Sequence, residues 1–369
     1  MTTLRVGIVG TGGIARSHMR AYGRCPQVQV VAACDVSADA LARFKQEFGI
    51  KRTYADYARM LDREELDLIS ICTPNDMHHP VVLAACAKGL HIFCEKPLAL
   101  TYAQAREMTE AAREAGIRTG VNFSHRITPA SRLAHEIIRS GALGEIFRVA
   151  AVYAAGWPQY AQRPYTWRNN AAQAGYGGMG DMGSHIMDMM MWWLDTDVSA
   201  LAAHTKTFVP EREDAATGKR VPVTTEDQGS LLLQYGNGAM GYLCGSYVFT
   251  GRGYDQRAEV FGSEGGLMYD QQKPHELQVW LPEEAMAALT VIRRGGTPDR
   301  PYHTVLVPER YHARDAEGPR SIPLAFVEAL LADRVDDLVP TFEAGLRVQE
   351  VLEACSRAAT SRAWVDLPL

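Results

Sequence analysis

The sequence predicts an α/β protein with two domains: a doubly wound parallel sheet over residues 1–123, and a second domain over residues 124–369 that contains a mainly antiparallel sheet. Three observations support this prediction. A length of 369 residues suits two domains. Short apolar runs alternate with helical segments through residue 123. After that point strand-like runs follow one another without intervening helices, which is typical of antiparallel pairing.

Five strands are predicted in the first domain, each a short apolar run, at residues 4–9, 27–34, 66–72, 91–94 and 118–122. Helices are predicted between them, ending at residue 24 and spanning residues 38–48, 80–88 and 102–115. Helical crossovers of this kind join parallel strands and cover both faces of the sheet. A ligand is therefore expected beyond the carboxyl ends of the strands.

The second domain begins with a predicted helix at residues 128–140 and a strand at residues 145–153. A loop rich in aromatic residues and glycine follows at residues 154–178, and residues 181–194 have helical character. Strand-like runs come next, at residues 201–209, 229–235, 240–248, 257–261, 266–270 and 277–281. Residues 211–221 are charged and predicted to form an exposed loop, and two helices at residues 325–334 and 342–360 close the chain.

Composition and charge exclude several classes of protein. The chain is 47% hydrophobic and 22% charged, as ordinary globular domains are. A formal net charge of −5 and the absence of a basic run argue against nucleic-acid binding. No apolar run reaches the roughly 18 residues of a membrane span, and the N-terminus has no signal-peptide pattern, so a cytoplasmic location is expected. The seven cysteines form no C-x-x-C pair and are interpreted as buried reduced thiols.

A glycine-rich turn follows the first predicted strand and opens the first predicted helix, with the sequence Gly10-Thr11-Gly12-Gly13-Ile14-Ala15. In this G-x-G-x-x-A pattern Gly10 permits a tight turn, Gly12 lets the backbone approach a pyrophosphate, and Ala15 lets the helix pack closely on the strand. Free N–H groups and the helix dipole would face the anion. Gly10, Gly12, Gly13 and Ile14 are therefore predicted to bind a dinucleotide.

Asp35 ends the second predicted strand, where an acidic residue in a Rossmann fold accepts hydrogen bonds from the adenosine ribose hydroxyls and repels a 2′-phosphate. Residues 36–42 contain no Arg or Lys that would neutralise such a phosphate. The sequence therefore predicts NAD rather than NADP. The alternative is that Asp35 only shapes a turn or caps a helix.

Polar residues cluster after the later strands of the first domain. Thr73-Pro74-Asn75 and His78 follow the third strand, and Glu95-Lys96-Pro97 follows the fourth. The residues predicted to bind the cofactor from these strand ends are Thr73, Asn75, His78, Glu95, Lys96 and Asn122. Lys96 is expected near the nicotinamide, and the alternative for it is a solvated surface lysine.

A second polar group follows a glycine-rich segment in the second domain. Asp181 and His185 are four residues apart and would share one face of the predicted helix. A histidine there has a suitable pKa to take a proton from an alcohol near neutral pH. The alternatives are that Asp181 caps the helix and His185 is a core histidine, with Asp188 in a supporting role. A metal site using these residues and His78-His79 is a further alternative, but the spacing matches no zinc signature, so no metal is predicted.

These motifs resemble those of the Gfo/Idh/MocA oxidoreductases. The likeness covers essentially the whole chain and is carried by residues 10–15, Asp35, Thr73-Pro74-Asn75, Glu95-Lys96-Pro97, residues 180–188 and the ending Trp364-Val365-Asp366-Leu367. The resemblance implies an N-terminal Rossmann domain that binds NAD. It also implies a C-terminal substrate-binding α/β domain whose large open antiparallel sheet mediates homodimers or homotetramers.

The resemblance assigns the catalytic roles to Lys96, Asp181 and His185. It implies oxidation of an alcohol, with His185 as general base, Lys96 hydrogen-bonded to the reacting oxygen and Asp181 orienting the substrate or the histidine. The roles of Lys96 and His185 could be exchanged. The expected substrate is a sugar, glycoside or cyclic polyol, as in levoglucosan dehydrogenase-like and glycoside 3-dehydrogenase-like members.

Four residues are candidate substrate contacts: Arg126, Tyr160, Trp167 and Arg168. An aromatic face beside polar groups suits a sugar ring, although the same aromatic residues could instead pack a domain junction. Two other functions remain open at this point. One is an NAD-dependent glycoside hydrolase that acts through transient oxidation and elimination, and the other is a non-catalytic NAD-binding regulator.

Overall fold

The computed structural model describes residues 3–157, 159–289, 292–297, 300–312, 314–315 and 318–369. The chain forms two compact units. The first comprises Met1–Phe123, Ala172–Gly175 and Asp315–Gln349, and the second comprises Ser124–Ala171, Tyr176–Arg314 and Glu350–Leu369.

The first unit contains a six-stranded parallel sheet. Its strands are β1 (Leu4–Val9), β2 (Val28–Cys34), β3 (Arg52–Tyr54), β4 (Leu68–Ile71), β5 (His91–Cys94) and β6 (Thr119–Val121), in the spatial order β3-β2-β1-β4-β5-β6. The helices between them are α1 (Gly13–Gly23), α2 (Ala38–Phe48), α3 (Tyr57–Arg63), α4 (His78–Cys86) and α5 (Tyr102–Glu114). This order is that of a dinucleotide-binding Rossmann fold, so the fold predicted for this part of the chain is confirmed.

The sequence analysis missed β3 and α3. All three residues of β3 are partly or fully exposed, and α3 buries only Met60 and Leu61. A strand or helix that buries so little apolar surface leaves no periodic signal in the sequence.

The rest of the chain supplies the remaining elements. The helices are α6 (Pro129–Arg139), α7 (Ala171–Ala174), α8 (Ser184–Leu194), α9 (Glu283–Ala288), α10 (Ile322–Leu331) and α11 (Phe342–Ser361). The strands are β7 (Ile146–Gly156), β8 (Val198–Lys206), β9 (Glu211–Glu213), β10 (Arg220–Pro222), β11 (Gln228–Tyr235), β12 (Met240–Ser246), β13 (Gly253–Gly262), β14 (Gly266–Asp270), β15 (Glu276–Trp280), β16 (Ile292–Thr297), β17 (Arg300–Leu306), β18 (Arg314–Asp315), β19 (Gly318–Pro319) and β20 (Val365–Asp366).

A ten-stranded sheet dominates the second unit, in the order β16-β17-β15-β14-β13-β7-β12-β11-β8-β20. The strand pairs are antiparallel except β7 with β12, so the large, mainly antiparallel sheet is confirmed. Helix α8 is buried along nearly its whole length against strands of this sheet, with Trp193 fully enclosed. Strands β16 and β17 were not predicted from the sequence.

The predicted exposed loop at residues 211–221 is confirmed only in part, because most of its residues are exposed but its two ends form strands. Strands β9 and β10 form an antiparallel hairpin there, and Arg212 is only 2% exposed. Its guanidinium donates to the backbone carbonyls of Tyr160 and Arg163, at 2.8 and 3.0 Å. These partners are 52 and 49 residues away in the sequence. The composition of residues 211–221 therefore cannot reveal that Arg212 is buried.

The segment Asp315–Gln349 belongs to the first unit, whereas the sequence analysis assigned every residue after 123 to the second domain. Phe326 of α10 packs on Phe93 of β5 with ring centroids 5.4 Å apart. Gly120 on β6 makes room for this contact, because a Cβ there would lie 2.7 Å from the Phe93 ring. Val121 also donates its N–H to the carbonyl of Pro340, which covers the edge of the sheet at β6.

No helix among the described residues is both long and apolar enough to cross a membrane. All seven cysteines are buried and free, as expected from the sequence.

Candidate active site

The glycine-rich turn joins β1 to α1. Gly10 has φ +89°, and a Cβ on it would lie 2.6 Å from the backbone carbonyl of Cys72, so both conformation and space require glycine. Gly12 and Gly13 are different, because a Cβ on either would meet no atom within 4 Å. The backbone of the turn therefore packs closely against Cys72, just after β4, at Gly10. It is open at Gly12 and Gly13, next to the exposed Ile14.

The residues at this edge of the first unit fit a dinucleotide. No side chain caps α1, and its first turn contains no acidic residue, so its N–H groups and positive dipole end are available to a pyrophosphate. Thr73 Oγ1 and Asn122 Oδ1 are buried and have no hydrogen-bond partner among the described residues. Buried polar atoms normally have partners, so these two mark positions where a polar ligand would be bound.

Asp35 holds the glycine-rich turn through hydrogen bonds to Thr11 and Ser37. Its Oδ2 accepts from the N–H and the hydroxyl of Thr11 at 2.7 and 2.8 Å, and its Oδ1 accepts from the N–H of Ser37 at 2.8 Å. A carboxylate can accept about four hydrogen bonds, and Asp35 is half-buried, so capacity for a ribose hydroxyl remains.

Two of the predicted cofactor contacts are occupied by internal hydrogen bonds. His78 has no exposed surface; its Nδ1 faces the carbonyls of Pro97 and Leu98 at 3.1 and 3.2 Å, and its Nε2 faces the carbonyl of Thr73 at 3.3 Å. Burial lowers the pKa of His78, so the ring is neutral, and it joins two loops of the first unit. Asn75 donates its amide to the carbonyl of Ala174 at 2.8 Å.

Glu95 is the centre of a buried polar network in the first unit. Its Oε1 accepts from Asn122 Nδ2 at 2.6 Å and pairs with His18 Nε2 at 2.9 Å. Its Oε2 accepts from the backbone N–H of Lys96 at 3.3 Å. His18 Nδ1 lies 2.8 Å from Ser70 Oγ. The network thus links α1 to the carboxyl ends of β4, β5 and β6, where the half-buried Lys96 is located.

In the second unit, Asp181 lies on a π-helical turn, Met179–Gly183, that continues directly into α8. Glu226 holds the start of this turn by accepting from the N–H groups of Gly177 and Met179, at 2.8 and 2.9 Å. Gly177 must be glycine, because a Cβ there would lie 1.9 Å from the carbonyl oxygen of Glu226. Single π turns inside helices are frequent at functional sites.

A neutral hydroxyl, of Tyr247, and a cation, of Arg168, lie beside the Asp181 carboxylate. Tyr247 donates its hydroxyl to Asp181 Oδ2 at 3.0 Å, and Arg168 Nε lies 3.6 Å from the same oxygen. Burial, with the nearby charge of Asp181, holds the pKa of Tyr247 well above its usual range, so this hydroxyl remains a donor. Arg168 is exposed and stacks over Trp167, with its guanidinium carbon 4.4 Å from the ring centroid.

His185 is 6% exposed and belongs to a cluster of rings in the second unit. The ring of His125 lies 4.4 Å from that of His185, and the ring of Tyr153 lies 5.9 Å from it, both edge to face. His125 Nδ1 is in turn 3.4 Å from Gln271 Nε2. Two imidazoles at this separation cannot both be protonated without strong repulsion.

Two of the predicted substrate contacts are internal. Arg126 is buried and donates two hydrogen bonds to the Asp188 carboxylate, from Nε at 2.7 Å and from Nη2 at 2.5 Å. Tyr160 is 8% exposed and donates its hydroxyl to Asp227. Both side chains have internal partners, and their direct contact with a substrate stays a prediction. Trp167 is half-buried, and Arg168 is exposed beside Asp181, so these two keep their candidacy.

Several residues with clear places in these clusters were not identified from the sequence: His18, His125, Tyr153, Trp157 and Tyr247. Trp157 packs against Tyr160 and Tyr247, with centroids 6.2 and 5.5 Å away, and Arg163 lies 4.3 Å over its ring. Of these, only His18 could have been noticed in the sequence, because it lies one helical turn after Ile14 of the glycine-rich motif, on the same helix α1. No group of three or more His, Cys, Asp or Glu side chains in the described part of the chain is arranged to hold a metal ion.

Two protein-family models match this chain, one in each of the two predicted domains. The model for the oxidoreductase family with an NAD-binding Rossmann fold matches residues 4–123, and the model for the GFO/IDH/MocA C-terminal domain matches residues 131–268. Levoglucosan dehydrogenase from Pseudarthrobacter phenanthrenivorans is 28% identical over 100% of this chain and 99% of its own length. D-glucoside 3-dehydrogenase from Escherichia coli is 30% identical over 67% of this chain and 71% of its own.

A similar solved structure is that of levoglucosan dehydrogenase in complex with NADH and levoglucosan. It matches with a TM-score of 0.88 and 26% sequence identity, covering 100% of both chains.

Proposed function

The chain belongs to the Gfo/Idh/MocA family of NAD-binding oxidoreductases, and from this premise we propose that it oxidises a secondary hydroxyl of a sugar, glycoside or cyclic polyol, with carbon 3 of a sugar ring as a candidate position. The observation that carries the proposal is the Asp181 carboxylate between the Tyr247 hydroxyl and Arg168, on the turn that leads to His185. A carboxylate with an adjacent arginine and aromatic rings is suited to bind a polyhydroxylated ring.

The proposed mechanism uses three side chains of this chain. His185 accepts the proton of the reacting hydroxyl as general base. Lys96 donates a hydrogen bond to the same oxygen and favours the negative charge that develops on it. Asp181 orients the substrate hydroxyls. NAD, which the turn at residues 10–14 and Asp35 would hold, would supply the acceptor for the hydride of the carbinol carbon. The roles of Lys96 and His185 can be exchanged without changing the balance of the reaction.

A NAD-dependent glycoside hydrolase is the second candidate function, because its chemistry also begins with oxidation of a ring hydroxyl. A non-catalytic NAD-binding regulator is a third candidate, but it would not need the Asp181 arrangement. Incubation with NAD and a panel of sugars, polyols and aryl glycosides separates the three. Net NADH formation supports the dehydrogenase, released aglycone without net NADH supports the hydrolase, and neither product supports the regulator.

Replacement of the proposed catalytic side chains tests the site assignment. Lys96→Ala and His185→Ala should each lower kcat by about 100- to 10,000-fold, the usual contribution of a positioned acid or base. The measurement is NADH absorbance with the best substrate of the panel. Lys88→Ala and His79→Ala are matched controls on the first unit, where both side chains form surface ion pairs. Full activity in both catalytic variants would refute the assignment.

A further inference from the structure

The π-helical turn that carries Asp181 is held by groups outside the proposed catalytic set. We propose that Glu226 is a positioning residue: with two glycines of the large sheet, Gly229 and Gly245, it fixes the position of Asp181 and so the affinity for the substrate hydroxyls. This inference rests on the proposed function in one respect only, the role of Asp181 in binding the substrate. The contacts that hold the turn can be measured without any substrate.

Glu226, just before β11, binds three successive N–H groups at the start of the turn. Its Oε1 accepts from the N–H of Gly177 at 2.8 Å and from that of Met179 at 2.9 Å. Its main-chain carbonyl accepts from the N–H of Gly178 at 2.9 Å. The first N–H groups of a helix lack partners inside it, and Gly178, at the N-cap position, has no side chain to supply one. Glu226 therefore acts as the cap, from 47 residues after Met179.

The carbonyl of Gly177 connects this contact to Asp181. That oxygen accepts from the backbone N–H of Asp181 at 2.9 Å and from the Tyr247 hydroxyl at 3.2 Å. The same hydroxyl donates to Asp181 Oδ2 at 3.0 Å. The peptide group that Glu226 holds through its N–H therefore holds both the backbone of Asp181 and the donor to its carboxylate.

Two glycines of the ten-stranded sheet make room for the turn. Gly229 of β11 and Gly245 of β12 lie directly opposite each other in the register of the two strands. A Cβ on Gly245 would lie 2.8 Å from the backbone nitrogen of Gly183, and a Cβ on Gly229 would lie 2.5 Å from Met179 Sδ. Neither of the two has a positive φ, so close packing and not backbone conformation requires glycine. We call this pair the glycine groove.

The two constraints fix the turn on both sides of Asp181 in the sequence. Glu226 binds residues 177–179, and the glycine groove receives Met179 and Gly183. A displacement of about 1 Å in a group that positions a substrate can lower the rate by about 100-fold. We therefore expect loss of either constraint to weaken the interaction of Asp181 with the substrate.

Amide hydrogen exchange on the full chain tests the contacts directly. Glu226→Ala removes the acceptor of two N–H groups, so exchange of the peptide spanning residues 177–183, followed by mass spectrometry, should be at least about tenfold faster than in wild type. Glu226→Gln keeps the accepting oxygen and should stay within about threefold of wild type. Glu259→Ala is the matched control, a carboxylate of β13 whose ion-pair partner is Arg148. Wild-type exchange in folded Glu226→Ala would overturn the proposal.

Kinetics connect the turn to the substrate. In Glu226→Ala, kcat/KM for the best substrate of the panel should fall by about 10- to 100-fold, mostly through a rise in KM. Glu226→Gln should return kcat/KM to within about threefold of wild type. NADH binding by fluorescence should stay within about twofold of wild type in both variants, since the cofactor is proposed to bind the first unit. An unchanged kcat/KM in folded Glu226→Ala would contradict the proposal.

A double-mutant cycle distinguishes a role through Asp181 from a general structural role. If Glu226 acts through Asp181, Glu226→Ala should change kcat/KM by less than about twofold when Asp181→Asn is already present. A purely structural role predicts the same fold-change with and without Asp181→Asn, and that result would refute a positioning role.

The glycine groove has a control on the same strand. Gly245→Ala places a Cβ against the turn and should raise KM by about tenfold or more. In Gly241→Ala the new Cβ would lie 2.8 Å from the Tyr235 ring and 3.0 Å from Leu233 Cβ, against β11 instead of the turn. It should lower the melting temperature and leave KM unchanged. Equal KM values for the two variants would argue against the groove, and if Gly245→Ala does not fold, the Glu226 variants decide.

Failure of the proposed function and failure of this inference give different results. If exchange of residues 177–183 rises in Glu226→Ala but wild type oxidises no substrate of the panel, the proposed function fails and the role of Glu226 in holding the turn stands. If wild type oxidises a substrate but exchange and kcat/KM do not change in Glu226→Ala, the function stands and the inference fails.

Discussion

The hydroxyl of Tyr247 donates a hydrogen bond to the Asp181 carboxylate at 3.0 Å. Tyr247→Phe removes this donor and keeps the ring. Hydrogen bonds to charged groups contribute about 1.5–3 kcal/mol, so we expect kcat/KM to fall by about 10- to 100-fold. Tyr269→Phe is the control, since that hydroxyl bonds Thr128 instead. Equal kinetics for the two variants would argue against a role of Tyr247 in holding Asp181.

The buried pair of Arg126 and Asp188 leads to a prediction about stability. Both side chains are almost fully enclosed, so removal of one partner leaves an uncompensated buried charge. Asp188→Asn should therefore lower the free energy of unfolding by about 3–5 kcal/mol, measured by urea denaturation. KM for the substrate should change little in the fraction that remains folded. A large rise in KM with unchanged stability would instead restore Arg126 as a substrate contact.

At the scale of single residues, the sequence predicted chemical type better than position. Gly10 and Asp35 lie where the motif required them, and Asp35 accepts hydrogen bonds that shape the turn, while its contact with a ribose stays a prediction. Arg126, Tyr160 and His78 were predicted to contact ligands because polar groups at such places usually do. The internal partners of Arg126 and Tyr160 are 62 and 67 residues away in the sequence, so only the folded chain reveals them.

At the scale of an element, the turn between β1 and α1 distinguishes two kinds of glycine. Gly10→Ala forces a Cβ into the Cys72 carbonyl at a positive φ, so it should destabilise the first unit and lower the melting temperature. Gly12→Ala meets no protein atom, so the melting temperature should stay near that of wild type while NADH binding weakens. Calorimetry and NADH fluorescence titration check both outcomes. Identical behaviour of the two variants would contradict this distinction.

Elements with strong periodicity were predicted within a few residues, including β1, α2, α5 and α11. Four of the missed elements, β3, α3, β9 and β10, are short and bury little. They exist because neighbouring elements complete them: β3 pairs with β2, and β9 pairs with β10 while Arg212 is held inside. Residues 290–291 and 298–299, which flank β16, lie outside the described residues.

At the scale of the whole molecule, one face of the ten-stranded sheet carries exposed apolar side chains. Leu232 is 55% exposed and lies opposite Tyr242, which is 39% exposed, in the register of β11 and β12. We expect this face to join subunits of a homodimer or homotetramer. Leu232→Glu should therefore shift the mass measured by light scattering toward the monomer. Val335→Glu, at a still more exposed apolar site on the first unit (78%), should not. A wild-type monomer would contradict the prediction.

The sequence by itself determined the alternation of strands and helices, the open turn at Gly10–Gly13 and the types of residue available for chemistry. These properties depend on periodicity and on backbone geometry over a few residues, which local sequence encodes directly. The tertiary structure alone decided that residues 315–349 return to the first unit, that Arg126 faces Asp188, and that His18 Nε2 lies 2.9 Å from Glu95 Oε1. Those outcomes depend on pairing between residues far apart in the chain. A buried polar side chain has no water to bond with, so its position depends on which partner the fold brings to it.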